Sequence, residues 1–176
     1  DNYTSGDSCY APDNYSNQFR GPVTFKNALA QSLNIPGVKA LYLAGIDESL
    51  KTARDLGITT LTNRDQYGLT LVLGGGEVKL LEMVGAYGAF ANEGERAELT
   101  GILRIEDNQG NVLQETEPKL SRVLDRDITL QISDILSDNV ARTPLFGANS
   151  ALYFPGRDVA AKTGTTNDKR DAWVVG

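Results

Sequence analysis

Apolar residues recur at helical spacing near the start of the chain, in "GPVTFKNALAQSLN" (21–34). Thr24 suits the start of a helix, and the positions that follow at i, i+3, i+4 and i+7 are Phe25, Ala28, Leu29 and Ser32. This spacing predicts an amphipathic helix with Ser32 on its apolar, inward stripe. An inward hydroxyl is costly unless it has a polar partner, so Ser32 is a candidate site residue.

Two short helices are predicted next, in "IPGVKALYLAG" (35–45) and "DESLKTARDLG" (47–57). The first is begun by Pro36 and closed by Gly45. The second has Asp47 as its predicted N-cap and Gly57 as the residue that stops it.

Two longer helices are predicted at 77–94 and 125–142. The first ends at Gly94, and its inward stripe is predicted to be Leu80, Val84, Tyr87 and Ala91. Small residues beside that stripe allow another backbone to come close: Gly85, Ala86, Gly88 and Ala89. The second is capped by Asp125, with an inward face of Ile128, Ile132, Ile135 and Leu136.

The other stretches carry turn or strand patterns. Residues 1–22 and 142–157 are predicted loops, and "GILRIEDNQGNVLQE" (101–115) is a predicted β-hairpin. "DVAAKTGTT" (158–166) and "DAWVVG" (171–176) are predicted strands joined by the polar turn "NDKR". This order of elements favours an α+β fold with an antiparallel sheet over a βαβ fold.

The composition of the chain excludes several classes of function. The 176 residues are 40% hydrophobic, enough for one core, and the net charge of −6 argues against nucleic acid as a partner. The chain has no histidine, which excludes Ser-His-Asp catalysis and histidine-based metal sites, so no metal or cofactor is predicted. A general base must be Lys, Asp, Glu or Tyr. No apolar run reaches the length of a membrane span.

The stretch Lys162-Thr163-Gly164-Thr165 holds the strongest candidate chemistry. It is not a phosphate loop, because the lysine precedes the glycine and a strand follows. It is not a phosphoaspartate site, because Ala161 stands where the aspartate would be. Two interpretations remain for the tripeptide alone: an ordinary threonine-rich edge strand, and the Lys-Thr-Gly strand of penicillin-interacting serine enzymes.

A second element supports the enzyme interpretation. Ser32 and Asn34 stand two residues apart at a predicted helix end, as in a Ser-x-Asn element. With "APDNYSNQFRGPVTFKNALAQSLNIPGVKAL", "GLTLVLGGGEVKLLEMVGAYGAFANEG" and "AAKTGTTNDKRDAWVVG", the chain resembles the transpeptidase domain of bifunctional (class A) penicillin-binding proteins. The resemblance covers nearly the whole chain, in the family's order, except for the generic segment from about 97 to 157.

The resemblance implies the β-lactamase/transpeptidase fold: a five-stranded antiparallel sheet flanked by helices, plus a helical lobe, incomplete in this chain. The reaction it implies is acyl transfer from a D-alanyl-D-alanine stem peptide through a serine acyl-enzyme, which β-lactams imitate. Ser32 would relay a proton to the leaving nitrogen, and Asn34 would hydrogen-bond the substrate amide. Lys162 would hold positive potential and bond to Ser32.

The same resemblance assigns the Lys-Thr-Gly strand to substrate binding. Thr163 and Thr165 would bind the substrate carboxylate, and the Thr165 N–H would serve the oxyanion hole. Gly164 would let substrate lie against the strand. Trp173 is expected to be structural.

The nucleophilic S-x-x-K element is absent, because no serine has a lysine three residues later. We therefore expect residues 1–176 to be part of a penicillin-binding transpeptidase domain truncated at both ends, inactive alone. Its partners would be stem peptides, β-lactams and the upstream part of its own parent chain. The parent is expected to be extracytoplasmic and membrane-anchored, with a glycosyltransferase domain as the family implies.

Two alternatives stay open at this stage. One is a β-lactamase or DD-carboxypeptidase of the same superfamily, in which water accepts the acyl group. The other is a non-catalytic penicillin-sensor or pseudo-enzyme module, against which the retention of Ser32, Asn34 and Lys162 counts.

Overall fold

The computed structural model describes residues 4–5, 8–166 and 170–176. In these ranges the strands are β1 (Thr4–Ser5), β2 (Ser8–Cys9), β3 (Glu95–Ala97), β4 (Arg104–Glu106), β5 (Val112–Glu115), β6 (Leu120–Arg122), β7 (Lys162–Thr165) and β8 (Ala172–Val175). The helices are α1 (Phe25–Ala30), α2 (Asn34–Ala44), α3 (Ile46–Asp55), α4 (Leu80–Ala91), α5 (Arg126–Ser137) and α6 (Asn139–Phe146), with 3₁₀ turns at Arg64–Gln66 and Leu69–Leu73.

The described strands pair in four separate two-stranded sheets. The predicted hairpin is confirmed as β4 and β5, and the predicted strand pair is confirmed as β7 and β8, both antiparallel. The pairing of β3 with β6 was not predicted, because these three-residue strands are distant in sequence and no tight turn joins them. The prediction of a loop over 1–22 misses the β1–β2 hairpin. Residues 167–169 of the predicted "NDKR" turn lie outside the described residues.

Helix α1 is shorter than the predicted helix over 21–34. The hydroxyl of Thr24 accepts from the Asn27 N–H at 3.2 Å, which confirms its place at the start. Phe25, predicted to face inward, is 76% exposed, whereas Ala28 is buried. Because the helix ends at Ala30, the helical spacing cannot carry the prediction on to Ser32.

The predicted helix over 35–45 is confirmed as α2, which Gly45 closes, but it begins at Asn34 and not at Pro36, which lies in its first turn. In α3 the prediction of Asp47 as N-cap is wrong, because Gly45 precedes the helix and Asp47 lies in its first turn. The Asp47 carboxylate instead accepts from the Arg64 Nε at 2.9 Å. The predicted stop at Gly57 is confirmed by its left-handed φ of 96°.

The predicted inward stripe of α4 is wrong. Leu80 is 64% exposed and Val84 is 51% exposed, while Glu82, Ala86 and Ala89 form the buried face. Glu82 can lie on this buried face because its carboxylate accepts hydrogen bonds from two threonines, Thr59 and Thr60. The small residues of this face pack into the main core with Ile46, Leu50, Leu56, Ile58 and Leu61.

The predicted helix over 125–142 consists of two helices. Asp125 caps α5 as predicted, accepting from the Asp127 N–H at 2.8 Å. The chain then breaks at Asp138, whose carboxylate accepts from the Ala141 N–H at 2.9 Å and so begins α6. Ile128 is exposed rather than inward, while Ile132, Ile135 and Leu136 are half-buried. The predicted loop over 142–157 accordingly begins later, at Gly147.

These helices place the two predicted motifs side by side. Helix α1 contacts α5 and α6, and the backbone N–H of Ala161, just before β7, donates to the Leu136 carbonyl at 3.1 Å. The Lys-Thr-Gly strand is thus attached to the end of α5, beside the turn that follows α1. The longest helices, α4 and α5, have 12 residues each, and none in the described ranges could traverse a lipid bilayer.

Candidate active site

Ser32 lies in the turn that ends α1, not on the stripe of a continuing helix. Its N–H donates to the Leu29 carbonyl at 3.1 Å, and the Leu33 N–H donates to the Ala28 carbonyl at 3.0 Å. These two bonds are those of a Schellman C-cap, in which the residue after the cap adopts a left-handed conformation. Ser32 has that conformation, with φ at 52°. Glycine is usual at such a position, because a Cβ makes the left-handed conformation costly.

Strand β7 brings Lys162 to this turn. The Lys162 Nζ donates to the Ser32 Oγ at 2.6 Å, although the two residues are 130 positions apart. The same amine donates to the Thr163 carbonyl at 2.8 Å. Burial lowers the pKa of the Lys162 amine below its usual value, because charge is less favourable away from water. A lysine and a serine hydroxyl in direct contact can pass a proton between them.

Asn34 is close to Ser32 in sequence but has other partners. It is the first residue of α2, and its Nδ2 donates to the Asp13 carbonyl at 2.8 Å. The neighbouring Ile35 N–H donates to the Oδ1 of the buried Asn14 at 3.2 Å. Within the described residues, Asn34 makes no hydrogen bond to Ser32 or Lys162. The Asn34 Oδ1 accepts no hydrogen bond from any described residue, so this amide oxygen is available to a ligand.

The remaining residues of the motif present an open strand. Thr163 is half-buried, while Gly164 and Thr165 are exposed. Neither threonine hydroxyl has a hydrogen-bond partner among the described residues. A Cβ built on Gly164 would meet only the Trp173 Cβ, at 3.7 Å, which is an ordinary contact. Packing within the described structure therefore does not require glycine here, and the space over it is available to a ligand.

The sequence did not reveal two buried polar residues behind this pair. Gln31 precedes Ser32, and Arg142 lies in α6. With Lys162 and Thr163, Arg142 lines a cavity of about 10 Å³, roughly the size that holds one water molecule. A glutamine next to Ser32 and an arginine within an otherwise apolar helix face are signals that could have pointed to them.

The site brings several polar groups together. It combines a desolvated amine, a serine hydroxyl, two threonine hydroxyls that have no partner among the described residues, and a strand with an open face. In the part of the chain that the structure describes, no three His, Cys, Asp or Glu side chains are grouped to hold a metal ion. The catalytic and binding roles of Ser32, Asn34 and the 162–165 strand stay predictions.

Comparison with known proteins identifies the family. The family described as the penicillin binding protein transpeptidase domain matches residues 1–176. The chain is 34% identical to penicillin-binding protein 1B of Vibrio cholerae over 171 residues, 96% of this chain and 21% of that protein. It is 36% identical to penicillin-binding protein 1A of Aquifex aeolicus over 167 residues, 95% of this chain and 22% of that protein. The chain thus spans about a fifth of these relatives.

Solved structures agree with the sequence comparison. Penicillin-binding protein 1A of Haemophilus influenzae superposes with a TM-score of 0.77 at 27% identity, over 97% of this chain and 30% of that chain. Penicillin-binding protein A of Mycobacterium tuberculosis, in an imipenem acyl-enzyme complex, shares the fold at 18% identity with a TM-score of 0.75, over 96% of this chain and 42% of that chain. The expected transpeptidase-like fold is confirmed, and the chain belongs to the transpeptidase family of penicillin-binding proteins.

Proposed function

We propose that this chain forms one wall of the active-site cleft of a peptidoglycan DD-transpeptidase. The observation that carries the proposal is the 2.6 Å hydrogen bond from the Lys162 Nζ to the Ser32 Oγ. It joins two motifs that are far apart in sequence and places a desolvated amine against a strained serine. The half-buried hydroxyl–amine pair lies next to an open strand, an arrangement suited to proton transfer during acyl transfer.

The proposed reaction has two steps. A serine oxygen bonds to the penultimate D-alanine carbonyl of a stem peptide, the peptide C–N bond breaks, and free D-alanine leaves with the proton on its nitrogen. The acceptor amine of a second stem then bonds to the same carbonyl carbon, the ester C–O bond to the serine breaks, and the serine oxygen takes up the proton that the amine loses. Ser32, held by Lys162, would deliver the proton to the leaving nitrogen, and Asn34 would bind the substrate amide.

The Lys-Thr-Gly strand would bind the reacting end of the substrate. The hydroxyls of Thr163 and Thr165, which have no partner among the described residues, would donate to the terminal carboxylate. Gly164 leaves room for the substrate backbone to lie along β7. The backbone N–H of Thr165 would contribute to the oxyanion hole, a type of donor worth about 3 to 4 kcal/mol in transition-state stabilisation.

The nucleophilic serine and its lysine would come from the parent protein outside these residues. We further propose that the parent is extracytoplasmic and membrane-anchored, binds β-lactams and D-Ala-D-Ala stem peptides, and carries a glycosyltransferase domain. The relatives are named as penicillin-binding proteins 1A and 1B, which supports the proposal that this chain serves the same kind of enzyme.

The test uses the full-length protein that contains this chain. We expect a fluorescent penicillin to label it covalently, and Lys162→Ala to slow labelling strongly while leaving the protein folded. Val174→Ala, an exposed β8 change, is the control and should label normally. With stem peptides, D-alanine release should be matched by cross-linked product. Hydrolysed donor alone would indicate a carboxypeptidase. A full-length protein that is not labelled and does not turn over stem peptides would overturn the proposal.

A further inference from the structure

Two buried polar side chains lie behind the Ser32–Lys162 pair and have no role in the proposed chemistry. Gln31 is 5% exposed and Arg142 is 3% exposed. Burying an arginine is costly, and apolar residues of similar volume usually fill such a space at less cost. The contacts of these two side chains explain what they do there.

Gln31 attaches the Ser32 turn to α6. It is the C-cap of α1, so it directly precedes the left-handed Ser32. Its Nε2 donates to the Ala141 carbonyl at 3.0 Å, and its Oε1 accepts from Arg20. Both ends of the amide are therefore held, which fixes the peptide that leads into Ser32.

Arg142, the next residue of α6, attaches the same helix to the lead-in of β7. Its guanidinium donates to the carbonyls of Leu152 at 3.1 Å, Leu136 at 2.5 Å and Val159 at 3.4 Å. The Leu136 carbonyl also accepts from the N–H of Ala161, the residue before Lys162. No carboxylate lies within salt-bridge distance of this guanidinium in the described residues. The guanidinium donors instead bond to backbone carbonyls, and these bonds help to position β7.

We propose that Gln31, at the end of α1, and Arg142, in α6, form a buried bracket that positions Ser32 against Lys162. The adjacent residues Ala141 and Arg142 contact the two motifs on opposite sides, one residue before Ser32 and a few residues before Lys162. The catalytic effect of the bracket rests on the proposed function, whereas the contacts that form the bracket are independent of it.

The bracket also keeps the Lys162 amine buried. Arg142 and Lys162 line the same cavity of about 10 Å³ behind β7. Burial is the cause that lowers the pKa of the Lys162 amine. The charged group that acts on the guanidinium is Asp138, the N-cap of α6, which favours its cationic form. Removing the guanidinium should loosen β7 and expose the amine, which makes Lys162 easier to protonate.

The experiment compares Gln31→Met, Arg142→Met and Arg142→Lys in the full-length protein with Thr129→Val. Thr129 is a matched control, because it is fully buried and its hydroxyl donates to the Arg126 carbonyl at 2.7 Å, at the start of its own helix rather than at either motif. We expect both methionine variants to slow β-lactam acylation by about a hundredfold, the effect of a small misplacement of reacting groups. Arg142→Lys should recover only part of the rate, because an ammonium cannot reach three carbonyls. Thr129→Val should acylate at the wild-type rate even though its free energy of unfolding falls.

A second readout does not depend on turnover. The pH dependence of Lys162 modification by an amine-reactive reagent, measured by mass spectrometry, reports the titration of the amine. Arg142→Met should move that titration to higher pH, and Thr129→Val should not. A wild-type protein that no β-lactam acylates would overturn the proposed function, and the titration would still decide the bracket. Wild-type rates or an unmoved Lys162 titration in Arg142→Met would overturn the bracket.

Discussion

The left-handed turn at Ser32 makes a prediction that separates stability from function. We compare Ser32→Gly with Ser32→Ala. Both remove the hydroxyl that accepts from Lys162, a bond to a charged donor that we value at about 1 to 2 kcal/mol because the serine is half-buried. Both variants should therefore lose β-lactam acylation to the same extent.

The two variants differ only in the backbone preference at φ 52°. A left-handed conformation costs a residue with a Cβ about 1 to 2 kcal/mol, and glycine escapes this cost. Glycine also gives the unfolded chain more freedom, which offsets about 0.4 to 1 kcal/mol of the gain. Ser32→Gly should therefore have a free energy of unfolding about 0.5 to 1 kcal/mol higher than Ser32→Ala.

Urea unfolding of the two proteins measures the difference, and Ser49 supplies the matched control. Ser49 lies within α3, and its hydroxyl donates to the Gly45 carbonyl at 2.8 Å. Substitution of Ser49 therefore also removes one side-chain hydrogen bond, as at Ser32. In that right-handed helix glycine should be less stable than alanine by about 1 kcal/mol, the reverse order. If Ser32→Gly were the less stable variant at position 32 as well, or if it still acylated, the assigned turn and role of Ser32 would be refuted.

Three further predictions concern Gly164, Gly94 and Glu82. Gly164→Ala should leave the free energy of unfolding unchanged or raise it by up to about 1 kcal/mol, since its Cβ would meet only Trp173 at 3.7 Å. The same change should greatly reduce acylation of the full-length protein, and normal labelling by penicillin would contradict a ligand over β7. Gly94→Ala should lower the free energy of unfolding by more than about 1 to 2 kcal/mol, because φ is 95° and the Cβ would lie 2.3 Å from the Leu124 carbonyl oxygen; urea unfolding close to wild type would contradict this. Hydrogen bonds, above all from Thr59, lower the pKa of Glu82 to about 2. The contribution of this carboxylate to the free energy of unfolding should therefore be complete above pH 4.5 and fall as the pH drops towards 2. Glu82→Gln should remove that slope in urea unfolding measured from pH 7 to 2, and an unchanged slope would assign it to another group.

The sequence predicted the parts of the fold that local patterns control. The β4–β5 hairpin was found because a turn-rich tetrapeptide separates two alternating stretches. The β7–β8 pair was found because threonines and valines favour strands on either side of a polar turn. The caps at Thr24 and Asp125 were found because short polar side chains there satisfy free N–H groups of the first turn.

Two of the errors share one physical cause. They concern polar side chains whose partners are distant in sequence, so that no local window reveals their burial. Glu82 faces the core because Thr59 and Thr60 hold its carboxylate, and Arg142 is buried because carbonyls of the 152 and 159 region accept from it. A prediction from helical spacing considers apolar residues only, and it therefore assigned the wrong face of α4 to the core.

The candidate site shows the same division at closer range. The residue types of Ser-x-Asn and Lys-Thr-Gly could be read from the chain, but helical spacing gave the wrong reason for the inward position of Ser32. Its side chain reaches Lys162 because the helix stops two residues earlier and the backbone turns left-handed. A serine in place of the favoured glycine gives up stability at this turn. That cost is accounted for if the hydroxyl must lie 2.6 Å from the Lys162 amine, a distance set by two chain segments that only the folded protein brings together.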